Sequence, residues 1–380
     1  MKILQYLRHL KNKFSSYRPT IEVVISRAHI LHNFHAFKKM YPALQFAPVL
    51  KSNAYGHGLV PVAKIMAAQD IPFFVVDSLY EAGLLRAAGI KEKILVIGFT
   101  PVENILSCRH KKVSFAITSL EQLQQLAAHV QRATTIHIKI DTGMHRQGIL
   151  PEKISTAIAV IKKNSALHLE GLCSHFATAH CVDKTFSEQQ IVVWEAAVTE
   201  FKKEFSAIQF FHLANTAGAY FAPRATCNVV RLGIGLFGKN ESPHTEMDLQ
   251  PTLRVETVVS GVKKLRAGEH VGYNNAFTAP HDMTIATIPA GYFEGIDRRL
   301  SNCGTILVGG VECPIIGDVS MNITTIDITH APHIKLGDAA IVMSDIRSDK
   351  NSLDAISKMI GEIPYVVLAR IPQHLRRRIE

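Results

Sequence analysis

Lys51 closes the apolar run FAPVL (46–50) and opens the segment SNAYGHG. An amine at the C-terminal end of a buried strand can be desolvated, lose its proton and form a Schiff base with a carbonyl compound. A lysine in this place can equally send its ammonium to solvent, and the segment alone leaves both readings open. Tyr55 and the glycines around it would let the turn approach a ligand closely. Other apolar runs end in the same kind of group. IHIKI (136–140) carries Lys139 and leads to Arg146; LEGLCS (169–174) runs into His175. IQFFHL (208–213) carries His212 and is followed by Asn215 and Thr216, and NVVRL (228–232) carries Arg231 ahead of Gly233 and Ile234. One polar strand end means little, since a structural histidine with satisfied bonds is common. Several of them on one face with Lys51 are hard to explain by packing. If these runs are strands of one barrel, the turns Asn215-Thr216 and Gly233-Ile234 lie where barrels often seat a phosphate. The implied constellation is an amine, a phosphate seat, and ring-sized room lined by His and Arg.

Something must bring these ends together. Between residues 45 and 235 eight short apolar runs (46–50, 73–77, 94–98, 113–117, 136–140, 169–174, 208–213 and 228–232) alternate with amphipathic stretches at 59–69, 78–88, 119–129, 151–164 and 187–204. Pro151 suits a first helical turn and Ser187 an N-cap. Eight strand–helix repeats in this span predict a parallel (β/α)8 barrel of the α/β class. A doubly wound sheet is the alternative, but no G-x-G-x-x-G follows the first strand. After about residue 250 short β-rich runs punctuated by Gly and Pro take over, which predicts a mostly β C-terminal domain. The expected division is a basic N-terminal extension at 1–20, a barrel at 21–250 and a β domain at 251–380, with the strand IEVVIS (21–26) joining the second domain. In that domain VGYNNAF (271–277) sets Tyr273 in a turn-prone context; GYFEGIDRRLSN (291–302) and GDVSMN (317–322) are Gly-marked loops of the same kind.

Composition narrows the function classes. The chain has 380 residues and a net charge of +10, with Lys and Arg spread along it and one tight cluster at Arg376 to Arg378. No nucleic-acid-binding motif accompanies them. No run reaches the roughly 18–20 apolar residues of a membrane span. The opening MKILQYLRHLKNKF is cut by Arg8 and Lys11, too early for an export signal. The six cysteines form no C-x-x-C pair, so no metal site is expected, and reduced thiols in a cytoplasm are the economical reading.

The segments VLKSNAYGHG, KIDTGMHRQGI, SHFATAH, HLANTAG, VVRLGIGLFG, VGY, IPAGYFEGIDRRLSN and GDVSMN, in this order, resemble the alanine racemase family over residues 21–372. The resemblance implies a pyridoxal-phosphate enzyme with a barrel, a β domain, and a head-to-tail homodimer whose sites are completed by the partner's second domain. It implies that Lys51 holds the cofactor, while Tyr55, Thr216, Gly233 and Ile234 seat its phosphate. Arg146 would lie near the ring hydroxyl and substrate carboxylate, oriented by Lys139, which is carbamylated in some members. His175 would stand near the ring and the catalytic tyrosine, His212 below the ring, and Arg231 at the pyridine nitrogen. Lys51 and Tyr273 would be the opposed acid/bases, with Tyr292 and Met321 at the substrate end.

Such a pair suits racemisation, which removes a proton from one face of Cα and returns it to the other. Tyrosine, with a pKa of about 10, becomes a base only beside positive charge. Guanidinium does not readily give up a proton, so Arg231 would keep the ring a weak electron sink and suppress side reactions. The chain also departs from the family pattern. Ala369 stands where a tyrosine usually precedes Arg370, Asn322 where an aspartate is usual, and His180 where SHFATAH usually ends in an acid; VGYNNAF lacks small residues after Tyr273. Alanine is the expected substrate. A racemase of wider range (serine, or basic amino acids) is the alternative, ahead of a decarboxylase, which would place a glutamate where Arg231 stands, and of a non-catalytic cofactor-binding protein.

Overall fold

A computed structural model describes residues 19–380; the basic extension expected at 1–20 falls almost wholly outside them. The chain forms two compact units, one of residues 26–252 with Glu380, the other of residues up to 25 together with 253–379.

Strand β1 (Glu22–Ile25) belongs to the second unit and is followed by helix α1 (Arg27–Met40), the first element of the other. Ser26 caps α1 by accepting from His29 N at 3.2 Å, and Ile30, Phe34 and Phe37 recur on its buried face. Eight parallel strands then follow in chain order: β2 (Gln45–Pro48), β3 (Phe74–Val76), β4 (Ile94–Val96), β5 (Val113–Ile117), β6 (Thr134–Lys139), β7 (Leu167–Cys173), β8 (Phe210–His212) and β9 (Val229–Leu232). β3 to β8 form a curled six-stranded sheet, and β2 pairs with β9. The gaps close through a bridge between Val49 and Val75, and through Asn228 N donating to Phe211 O and Arg231 N to Ala214 O. The result is the expected barrel. Its interior is filled by Ala47, Phe73, Val75, Leu95, Phe210 and Val229, among others, so it is a packed core rather than a pore.

Outside the strands run α2 (Leu59–Met66), α3 (Leu79–Ala87), α4 (Val102–Ser107), α5 (Leu120–His129), α6 (Ile154–Lys162) and α7 (Thr185–Glu204). Pro151 opens the short 3-10 turn that leads into α6. Ser187 is not a cap. α7 begins two residues earlier, where Asp183 Oδ1 accepts from Thr185 N at 2.9 Å, and Ser187 is buried with its hydroxyl 3.1 Å from that of Thr178. Trp194 in the middle of α7 is fully buried and donates to Thr226 O at 2.9 Å.

The second unit is mostly β, with strands β10 (Leu253–Val258), β11 (Gly261–Leu265), β12 (His270–Val271), β13 (Phe277–Thr278), β14 (Met283–Ile288), β15 (Thr305–Val308), β16 (Val311–Pro314), β17 (Thr324–Asp327), β18 (Ala339–Met343) and β19 (Arg376–Ile379). Its larger sheet has the order β16-β15-β18-β10-β1-β19, so β1 lies between the antiparallel β10 and the parallel β19. Two short helices, α8 (Leu353–Met359) and α9 (Pro364–Ala369), complete it. All six cysteines are unpaired, and among the described residues no helix is long and apolar enough to cross a membrane.

Candidate active site

The chain turns left-handed immediately after β2. Ser52, Asn53, Ala54 and Tyr55 have φ of 56°, 56°, 51° and 52°, and Gly56 continues at 79°. A left-handed turn of L-residues costs about 1–2 kcal/mol per residue, so it persists only if its surroundings hold it. They do so through hydrogen bonds. Ser52 N donates to Glu81 Oε1 at 2.7 Å, Leu59 N to Asn53 Oδ1 at 2.9 Å, and Ala54 N to Leu50 O at 2.7 Å. The turn starts at Lys51, whose Nζ lies 4.0 Å from Asp77 Oδ1 with the side chain 38% exposed. Of the two readings that the segment left open, the structure is nearer the second: the amine is partly open to solvent, with a carboxylate at the edge of ion-pair range.

At its far end the turn carries Tyr55 to the β9 loop. A Cβ on Gly233 would stand 2.7 Å from Tyr55 Oη, so only glycine admits the phenol there. Burial pushes the Tyr55 hydroxyl up to about 12, so it remains a phenol and a donor. The loops after β8 and β9 are tied together by Thr216, whose hydroxyl accepts from Gly233 N and Gly235 N at 3.2 Å each. Asn215 closes its own turn by accepting from Gly218 N at 2.8 Å. Tyr55, Thr216 and Gly233 thus meet, with Ile234 opening the next turn.

Arg231 is buried at the centre. Nη1 donates to His212 Nδ1 at 3.0 Å, and Nη2 to Ser174 O at 2.7 Å and His175 Nδ1 at 2.9 Å. Burial, then neighbouring positive charge, holds both histidines well below their usual range, so both are neutral acceptors. Burial holds Lys139 below its usual range; Cys173 pulls the other way, and the cations Arg231, Arg146 and Lys51 add to the lowering. Its Nζ donates to Gln147 Oε1 at 3.2 Å, and no bond joins it to Arg146 among the described residues. Arg146 is exposed, beside an open cavity of about 440 Å3 lined also by Phe99, Thr118, Asp141, His145 and Gln147. Among the described residues no His, Cys, Asp and Glu cluster is suited to a metal.

Tyr273, Tyr292 and Met321 belong to the β unit, on loops that converge within it. Gly291 lets its loop press on the next, since a Cβ would lie 2.1 Å from Ser320 O; Tyr292 N donates to Ser320 O at 3.0 Å and Phe293 N to Met321 O at 2.9 Å. Tyr273 starts a turn above the cluster of Val271, Phe277, Met283 and Ile316, and Asn274 and Asn275 after it take φ of 60° and 52°. Asparagine tolerates this conformation, which accounts for its use where the family has small residues. Tyr273 is 70% exposed, and its hydroxyl has no partner among the described residues. Asn322 donates to Glu294 Oε1 at 2.7 Å, a bond that an ionised aspartate could not make. Arg370, after Ala369, is engaged by Asp297 at 3.0 Å and Glu362 at 3.7 Å.

The sequence reading passed over Glu81, Gln147, His137 and Glu170. His137 had a signal: it shares an inward face with Lys139 at the two-residue period of β6.

The family models for the alanine racemase N-terminal and C-terminal domains match residues 25–241 and 252–379. The alanine racemase of Syntrophobacter fumaroxidans is 34% identical over 355 residues, covering 92% of this chain and 94% of that protein. Among solved structures, an alanine racemase of Clostridium difficile superposes with a TM-score of 0.89 at 27% identity, covering 96% of this chain and 97% of the other. A histidine racemase of Leuconostoc mesenteroides gives 0.86 at 26% identity, covering 96% and 99%. With barrel and β domain both matched along nearly its whole length, the chain belongs to the alanine racemase family of pyridoxal-phosphate-dependent isomerases.

Proposed function

We propose that this chain interconverts L- and D-alanine with pyridoxal phosphate held at Lys51, as a cytoplasmic homodimer whose sites each take Tyr273, Tyr292 and Met321 from the partner. The observation that carries the proposal is the turn after β2. It presents an amine at one end and, at the other, a phenol seated on the Gly233 backbone beside Thr216. This donor set fits the cofactor: a lysine for its aldehyde, and Tyr55, Thr216 and the 233–234 backbone for a phosphate. When bound, pyridoxal phosphate supplies the electron-withdrawing ring that makes an amino acid's Cα proton acidic.

The chain's own residues do the rest. Lys51 Nζ takes or returns the Cα proton on one face, and Tyr273 Oη does so on the other. Arg146, exposed and free of ion pairs among the described residues, is available to a substrate carboxylate. Arg231 stays charged, because a guanidinium keeps its proton even when burial lowers its pKa and its histidine neighbours here are acceptors only. The separation of Lys51 and Tyr273 on different units, with the Tyr273 hydroxyl exposed, supports a site shared between two copies. Unpaired cysteines suit a reducing compartment.

The test is to load purified protein with pyridoxal phosphate, reduce it with borohydride, and map the adduct. The label falls on the Lys51 peptide, and loaded, unreduced protein racemises alanine. A panel including serine and histidine sets the range. A label on another lysine, or loaded protein inert toward alanine, overturns the reading.

A further inference from the structure

Behind Arg231 a chain of buried polar groups runs back through the barrel, and no step described above uses it. His212 Nε2 lies 2.7 Å from His137 Nδ1, and His137 Nε2 lies 3.2 Å from Glu170 Oε2. Glu170 also accepts from Ser114 Oγ at 2.9 Å and pairs with Lys93. Both imidazoles are fully buried. The register of β6 and β7 slips at this point: Ile136 faces Leu169 and His137 faces Gly171, so Glu170 is the extra residue of a bulge. Bulges re-aim a side chain, and this one sets a carboxylate beside His137. Gly171 makes room for the ring, since a Cβ there would lie 2.4 Å from His137 Nδ1. Phe73 and Phe210 pack on the same imidazole, at centroid distances of 5.7 and 6.0 Å.

The protons in this chain have only one arrangement. Arg231 can only donate, so His212 Nδ1 must accept and its proton sits on Nε2. That proton is given to His137 Nδ1, which leaves the His137 proton on Nε2, directed at Glu170. An ionised carboxylate can only accept, so the chain is closed at both ends. Although burial pushes Glu170 up, hydrogen bonds from His137 and Lys93 hold it down at about 2, so it is ionised at neutral pH.

We propose that Glu170 and His137 are positioning residues. They lock the Nε2–H tautomer of His212 and so keep its Nδ1 lone pair for Arg231, fixing the guanidinium that faces the reaction. The effect on catalysis rests on Arg231 serving the site proposed above; the tautomer lock does not.

The experiment separates the two. In cofactor-free protein labelled with 15N-histidine, His212 should show a lone-pair Nδ1 and a protonated Nε2. Glu170→Gln offers an amide that accepts or donates, so only Arg231 then orders the chain, and the His212 Nδ1–H tautomer, in which Arg231 Nη1 keeps the His212 carbonyl alone, becomes populated beside the other; Glu170→Asp keeps the carboxylate and restores one. In the loaded enzyme, kcat on alanine falls about 10- to 100-fold in Glu170→Gln with KM little changed, and recovers in Glu170→Asp. If His212 in the unaltered protein carries its proton on Nδ1, or on both nitrogens, the inference fails with no variant needed. It fails equally if Glu170→Gln folds and leaves both tautomer and kcat unchanged. A locked tautomer in a protein inert toward alanine would sink the proposed function and keep the lock.

Discussion

The barrel's strand ends and the loops of the β unit carry the two groups of candidate site residues, and they are built differently. At the barrel, Arg231, His212 and Thr216 are buried and held by bonds between 2.7 and 3.2 Å. In the β unit, Tyr273, Tyr292 and Met321 are 70%, 45% and 55% exposed, although the glycine-mediated loop contacts beneath them are tight. The first region has fixed these three side chains in advance, while Lys51 and Arg146 stay open to solvent. The other has fixed its backbone and left its side chains to meet something else. A preorganised cofactor seat completed by a second surface has this form.

Tyr273→Phe should leave folding and cofactor loading intact while racemisation falls by about 10^2- to 10^4-fold, the usual worth of a positioned acid/base. Mixed with inactive Lys51→Ala protein under subunit exchange, it should recover activity. Half the dimers are then mixed and each has one intact site, giving about a quarter of the native rate for a two-fold dimer. No recovery despite proven exchange would place both groups in one chain.

The second difference is electrostatic. His137, His175 and His212 are held neutral, chiefly by burial, with pKa values lowered from 6.5. Unfolded, they would titrate normally. Their contribution is therefore fully present above about pH 6.5 and is lost as pH falls, because the unfolded chain takes up protons that the fold refuses. The slope reaches about 1.4 kcal/mol per pH unit for each histidine. Glu170, held at about 2, adds its own loss only from 4.5 downward. Hydrogen exchange, corrected for intrinsic rates, should show barrel amides near these residues losing protection before those of the β unit between pH 6.5 and 4.5. Simultaneous loss in both would contradict this.

Ser52 is exposed and left-handed, so Ser52→Gly should relieve strain and raise stability by about 1 kcal/mol, visible as a higher Tm. An unchanged or lower Tm would mean that the turn is not strained.

Much of this was legible in the sequence. The eight barrel strands announce themselves because strands buried on both faces are continuous apolar runs. Lys51, His212 and Arg231 stand out as polar ends of such runs. Helix α1 was missed although Ile30, Phe34 and Phe37 mark its face, because histidines interrupt the pattern. The left-handed turn has only Asn53 as a residue signal before Gly56; tertiary bonds impose it on Ser52, Ala54 and Tyr55. The partnership of His137 with Glu170 depends on a one-residue slip between strands, which neither strand's own sequence encodes.

The place of β1 bears on how the chain is made. The barrel is continuous from Ser26 to Thr252 and can fold once the ribosome has released that stretch. β1 is synthesised before all of it, yet its neighbours are β10, from midway along the chain, and β19, whose last residue is Ile379. During translation the apolar Val23, Val24 and Ile25 wait, first for Leu253–Val258 and then for Arg376–Ile379, as a strand without its partners. Truncating only the last few residues should therefore be felt at the opposite end of the sequence, as an N-terminal strand that chaperones bind and proteases clip.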